Sequence, residues 1–200
     1  MESPGPCGRG FLSARCYDGR MDSYHFNELE LPNGGRLGLG CCPGHRLTPP
    51  PLSVRRAAGS LKDDLKRIAA WKPDAVLSLM EEPELASVGA PVKVLAEELR
   101  GHGVAWHHLP ICDLGAPDER FETAWVDLWP RLDVLFQSKG RAFIHCYAGL
   151  GRTGTVAALI LMQYGQSARD ALQVVRAARP GSIQSLEQEH YLSMAGRKRS

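Results

Sequence analysis

Short apolar runs along this chain alternate with stretches in which apolar positions recur every three or four residues, the two periods that separate buried strands from amphipathic helices. From Leu29, LELPNGGRLGLGCCP holds two apolar runs around Asn33-Gly34, which predicts a hairpin; Pro43-Gly44 and Pro49 to Pro51 predict a loop after it. Leu61, Leu65 and Ile68 share one face of a helix over 60–71 that Pro73 ends. AVLSLM (75–80) has the continuous apolar character of a strand buried on both faces. After it come a loop with a short helix (81–89), a helix over 91–100 on Val92, Leu95 and Leu99, and a strand AWHHLPI (105–111). Phe121, Ala124, Trp125, Leu128, Leu132, Leu135 and Phe136 then form a core-facing helical stripe over 118–138, which Pro130 should kink or divide. A buried strand over 142–145 leads into an apolar helix beginning near Arg152. Two capped helices follow, opened by Ser167 with Asp170 and by Ser185 with Gln188, and separated by an Arg179-Pro180-Gly181 stop.

Strands alternating with helices predict an α/β fold: a single domain with a central, mostly parallel sheet flanked by helices on both faces, and an N-terminal hairpin. A length of 200 residues suits one well-packed domain and is short for two. The expected organisation is a poorly ordered segment over 1–28, rich in small and isolated polar residues, a domain over 29–196 and a basic tail over 197–200.

Composition then removes several function classes. Lys plus Arg is 24 against 22 for Asp plus Glu, and a net charge of +2 supplies no field for nucleic acid. No run approaches the roughly 18 apolar residues of a membrane span, and the N-terminus lacks a hydrophobic signal core, so a cytoplasmic protein is expected. The six cysteines, at 7, 16, 41, 42, 112 and 146, show neither paired metal-ligand spacing nor the density of a disulfide scaffold. No metal or other cofactor is expected, and His107 and His108, on opposite faces of their strand, read as structural histidines. His45, in the first loop, could line a substrate cleft, but a lone loop histidine reads more readily as solvated surface, and it is given no role.

The candidate chemistry lies in RAFIHCYAGLGRTGTVAALILMQY (141–164), a strand, a turn of small residues and a helix N-terminus. The first amides of a helix have no intrahelical partner and carry the positive end of its dipole, so such a turn is suited to an anion. Gly149 and Gly151 let successive amides converge on one point, and Arg152 adds a planar fork for two phosphoryl oxygens. Cys146 stands at the head of the cradle, where helix dipole and guanidinium favour a nucleophilic thiolate. A thiolate requires a reducing compartment, and Cys41, Cys42 or Cys112 are candidates to cap an oxidised Cys146 as a disulfide; buried structural thiols are the alternative.

HCYAGLGRTG resembles the H-C-x5-R-[ST]-G signature of the cysteine-dependent protein phosphatases and departs from the G-x4-G-K-[ST] nucleotide loop. With WHHLPICDLGAPD upstream and RPGSIQSLEQEHYL downstream, the chain is similar from about Leu37 to Leu192 to the kinase-associated phosphatase branch of the dual-specificity phosphatases and its bacterial relatives. The resemblance implies a protein-tyrosine or dual-specificity phosphatase that works through a phosphocysteine. Its expected partner is a phosphoprotein or phosphopeptide substrate, met by a monomer, with no nucleic acid and no membrane.

On this reading Cys146 attacks phosphorus while Tyr147, Ala148, Gly149, Leu150, Gly151 and Arg152 bind the phosphoryl oxygens. Two carboxylates compete as the acid that protonates the leaving oxygen. Asp113 emerges on the same sheet edge as Cys146 and is where PICDLGAPD matches the family's acid loop; Asp118 precedes a helix it would cap. Thr153 is expected to donate its hydroxyl to the Cys146 sulfur and His145 to brace the loop. Gln184 or Gln188 would orient water, as the resemblance implies, or else serve as helix caps. Two other readings stay open: a noncatalytic phospho-binding module using the same cradle, and a phosphatase of lipid or nucleotide phosphoesters.

Overall fold

A computed structural model describes residues 24–45 and 60–197. Five strands, β1 (Phe26–Glu30), β2 (Arg36–Cys41), β3 (Ala75–Ser78), β4 (Ala105–His108) and β5 (Arg141–Cys146), form one sheet in the order β1-β2-β5-β3-β4. Only β1 and β2 are antiparallel; β2 with β5, β5 with β3 and β3 with β4 run parallel. The helices are α1 (Ser60–Ala70), α2 (Glu82–Ser87), α3 (Val92–Gly101), α4 (Glu119–Gln137), α5 (Gly151–Gln163), α6 (Ala168–Ala178) and α7 (Leu186–Arg197). The α/β architecture expected from the alternation of strands and helices is the one observed, a mostly parallel sheet flanked by helices.

The hairpin turns at Asn33-Gly34, where Gly34 has φ +86° and Asn33 Oδ1 accepts from the Gly35 amide at 3.1 Å. β1 starts at Phe26, inside the stretch expected to be a disordered lead-in. The Phe26 ring packs edge-on against Trp71 and Phe143, at 5.5 and 5.3 Å, a long-range anchor that the composition of residues 1–28 hides. Residues 1–23, the Pro49 to Pro51 loop and residues 198–200 lie outside the described residues.

β4 ends at His108, three residues short of the expected strand. Pro110 has no amide to offer, while Leu109 and Ile111 on either side stay buried and donate to Ser78 O (2.9 Å) and Leu79 O (3.1 Å). Conversely, α4 runs undivided through Pro130, burying Phe121, Trp125, Leu128, Leu132 and Phe136. The carbonyl that Pro130 leaves without a donor belongs to Val126, which is 69% exposed, so water can serve it.

β5 is the centre of the sheet, with Ala142 to Cys146 buried between β2 and β3. α5 packs against β5 and β2 and is buried from Gly151 through Met162, because α6 and α7 cover its outer side. Since β2, β5, β3 and β4 run parallel, Cys41, Ser78, His108 and Cys146 all lie at one end of the strands, where open α/β sheets bind ligands. No helix among the described residues is long and apolar enough to cross a membrane.

Candidate active site

Between β5 and α5 the chain makes a loop whose carbonyls all point outward. Tyr147 O accepts from the Cys42 amide (3.2 Å), Ala148 O from Arg179 Nη2 (3.2 Å), and Gly149 O from Arg179 Nε (2.5 Å). Leu150 O accepts from the Gly154 and Ile183 amides, at 2.9 and 3.3 Å. In a trans peptide the N–H lies opposite the preceding carbonyl, so this pattern turns the amides of Ala148, Gly149, Leu150 and Gly151 to the inner side of the loop. α5 adds its own N-terminal amides to that inner side. Gly149 has φ +71°, and a Cβ there would stand 2.2 Å from the Gly40 carbonyl; only glycine lets the loop seat on the end of β2.

Cys146 is 3% exposed at the head of this loop. The Arg152 side chain, 1% exposed, projects from the first turn of α5. Its Nη1 donates to Glu84 Oε2 (2.7 Å) and Ile111 O (3.0 Å), its Nη2 to Glu84 Oε1 (3.0 Å) and Asp113 Oδ1 (2.9 Å). Burial opposes the guanidinium charge, but the Cys146 sulfur, Glu84 and Asp113 outweigh it and raise its pKa above the ordinary arginine value. Arg152 is thereby held as a fixed cation beside the sulfur, with a bidentate carboxylate keeping its plane in place.

The two acid candidates separate. Asp113 is on an open loop, its side chain 62% exposed, within reach of both the arginine and solvent. Asp118 is the N-cap of α4 and accepts from the Arg120 and Phe121 amides. A slight burial works the other way, but hydrogen bonds from the Arg120 side chain and the Phe121 amide lower the Asp118 pKa below the usual carboxylate value. It is committed to the helix as its N-cap.

Thr153 is fully buried and its hydroxyl has no hydrogen-bond partner, so the expected bond to the Cys146 sulfur is not formed in this state. His145 directs Nε2 to Ser78 Oγ (2.6 Å), which also receives Trp106 Nε1 (2.8 Å), tying β5 to β3 and β4 rather than reaching out along the loop. Burial lowers its pKa to about 3, against a contribution from the Cys146 backbone and with the His108 and Arg152 charges adding to the shift; the ring is neutral. His108 Nε2 meets Met80 O at 2.7 Å, and burial lowers the pKa of His107. His45, expected at the surface, is 6% exposed and packs against Tyr147 in a tilted ring pair with centroids 4.1 Å apart.

Both glutamines sit at the start of α5, with side-chain amides near the Cα of Gly151. Gln188 is fully buried: its Oε1 accepts from the Gln184 amide (2.8 Å) and its Nε2 donates to Gly115 O (3.1 Å), on the loop that carries Asp113. Gln184 is half-buried. Of the cysteines, Cys41 is the register neighbour of Cys146 across β2 and β5, Cys42 is buried, and Cys112 is exposed with its sulfur 3.9 Å from Glu81 Oε1.

Glu84 and Arg179 escaped the sequence reading. Glu84 lies in the acidic run Glu81-Glu82-Pro83-Glu84, directly beyond β3 on the ligand edge, and that position was the available signal. The sequence around Arg179, Arg179-Pro180-Gly181, reads only as a helix stop.

A family model described as the DSP-PTPase phosphatase domain of a Swiss Army Knife protein matches residues 56–192. Cyclin-dependent kinase inhibitor 3 of Homo sapiens is 34% identical over 161 residues, which span 78% of this chain and 69% of that protein. The protein of the same name from Sus scrofa is 30% identical over the same shares. Among solved structures, kinase associated phosphatase with serine at its catalytic-site cysteine has a TM-score of 0.75 at 26% identity, covering 90% of this chain and 97% of that one. Tk-PTP in its active form has a TM-score of 0.62 at 28% identity, over 82% and 93%.

Proposed function

The chain belongs to the DSP-PTPase phosphatase family, and from that premise we propose that this protein phosphatase hydrolyses phosphoprotein monoesters through a phosphocysteine formed on Cys146. The observation that carries the reading is the buried Arg152 guanidinium, fixed by Glu84 beside the Cys146 sulfur and touching Asp113. Sulfur, cation, inward amides and a loop carboxylic acid meet at one end of one sheet.

A phosphoryl group entering the cradle places its equatorial oxygens on the loop amides and on Arg152, where the charge of a loose transition state is spread. It thereby competes with Asp113 for Nη2 and releases that carboxyl toward the leaving oxygen. Cys146 attacks phosphorus in line, and Asp113 gives its proton to the departing serine, threonine or tyrosine oxygen. In the second step water attacks the phosphocysteine, Asp113 takes a proton from it, and the Thr153 hydroxyl turns to the departing sulfur. Gln184 and Gln188, at the mouth of α5 and linked to the acid loop, bound the place where that water stands.

The test is hydrolysis of p-nitrophenyl phosphate and a phosphopeptide panel, with acid-quenched mass spectrometry of the enzyme. Steady release of phosphate and a phosphorylated Cys146 peptide are expected. Cys146→Ser should abolish turnover and keep tungstate binding. Binding of phosphopeptides without turnover by the unaltered protein would replace this reading with a phospho-binding module.

A further inference from the structure

Arg179 follows α6 on the far side of the loop from any substrate, yet the residue is 4% exposed and its guanidinium is spent largely on that loop. Nε donates to Gly149 O at 2.5 Å and Nη2 to Ala148 O at 3.2 Å, while Nη1 donates to Asn27 Oδ1 on β1 at 2.6 Å. Its own backbone is pinned in turn, the Arg179 amide donating to Val175 O (2.8 Å) and Ser182 Oγ donating to Arg179 O (2.8 Å).

Two consecutive peptides with parallel dipoles repel one another, and a cradle of inward amides is an array of that kind before any anion arrives. A cation placed on the outward oxygens offsets that repulsion, and its planar fork sets the direction of both carbonyls. Each outward carbonyl turns the next amide inward, so Arg179 governs the amides of Gly149 and Leu150. We infer that Arg179 is a positioning residue for oxyanion recognition. It holds two cradle amides preset from behind, and Asn27 locks its fork so that the N-terminal hairpin shares in the setting. The inference rests on the phosphatase reading for its substrate, a phosphoryl dianion, but concerns how the empty site is kept ready for it.

Arg179→Lys keeps the charge and loses the fork; Asn27→Ala, at an exposed position, removes only the lock and serves if the first variant fails to fold. Tungstate affinity, the rate of Cys146 alkylation by iodoacetamide at pH 6, and kcat and KM for p-nitrophenyl phosphate are measured well below the melting temperature. For Arg179→Lys, tungstate affinity and kcat/KM should each fall about tenfold or more, as loss of a charge-assisted hydrogen bond implies. Alkylation should slow in parallel as the sulfur loses aligned dipoles, and Asn27→Ala should show the same changes in smaller measure. A variant pair that melts earlier but keeps tungstate affinity and alkylation rate within about twofold overturns the inference, because ordinary loss of packing would do just that. The unaltered protein separates the two claims. If it binds tungstate in an Arg179-dependent way but turns nothing over, the phosphatase reading fails and the positioning role stands. If it turns over normally and the variants match it, only the positioning role fails. If it neither binds tungstate nor turns over, both fall.

Discussion

Asp113 Oδ1 rests 2.9 Å from Arg152 Nη2, so the acid candidate and the oxyanion-binding candidate are in direct contact. Asp113→Asn should lower kcat by roughly 10²–10⁴-fold for alkyl phosphates with poor leaving groups and much less for p-nitrophenyl phosphate, whose leaving group needs little protonation. Asp118→Asn, altering a residue that only caps α4, should change stability by about 1 kcal/mol at most and leave that leaving-group dependence intact. A plot of rate against leaving-group acidity for both variants checks the assignment.

Thr153 carries a buried hydroxyl with no partner, a cost to the resting protein. Thr153→Val preserves the shape and removes the hydroxyl, and should leave the melting temperature unchanged or raise it while slowing the second chemical step. Rapid-quench kinetics should then show a burst followed by slow turnover, with the phosphocysteine accumulating.

His145, whose burial lowers its pKa to about 3, stays neutral in the folded protein until the pH nears that value, whereas in the unfolded chain it titrates near 6.5. Below about 6.5 the unfolded state therefore binds the extra proton, and stability falls as pH drops from there toward 3. The contribution amounts to about 2 kcal/mol between pH 7 and pH 5. Urea denaturation of the native chain and of His145→Gln at both pH values should show the variant losing less on acidification by about that amount.

Gly149→Ala would force a methyl into the Gly40 carbonyl at a backbone angle of +71°. The loop must lift off β2, misdirecting amides that converge on the anion. Turnover should drop by at least about 10²-fold, in line with the loss of one oxyanion donor, with tungstate affinity falling alongside it. Isothermal titration with tungstate checks the second part.

Cys146, Arg152 and the glycines between them were legible because their chemistry is local: a strand end, a turn and a helix start, contiguous in sequence. The strand-helix alternation foretold the parallel sheet for the same reason, since each unit carries its own hydrophobic period. Glu84 and Arg179 were less legible. They meet Arg152 and Gly149 from 68 and 30 residues away, and beyond Glu84's place past the end of β3 nothing near them in sequence distinguishes an aimed charge from a solvated one. The limits of β4 and the intact α4 turned on which face of each element Pro110 and Pro130 occupy, a tertiary matter. Phe26 was missed because one aromatic residue in a polar stretch gains its anchor only when Trp71 and Phe143 come together.

The seat of Gly149 on Gly40 gives the hairpin more than a covering part. The stretch shared with the phosphatase family model begins at residue 56, after β1 and β2 have ended, yet the floor under the cradle is a carbonyl at position 40. A polypeptide trimmed to that shared stretch would keep Cys146, Arg152, Asp113 and Thr153 and lose the backbone on which Gly149 is seated. In this chain a residue outside that stretch, Gly40, fixes where the candidate loop can sit.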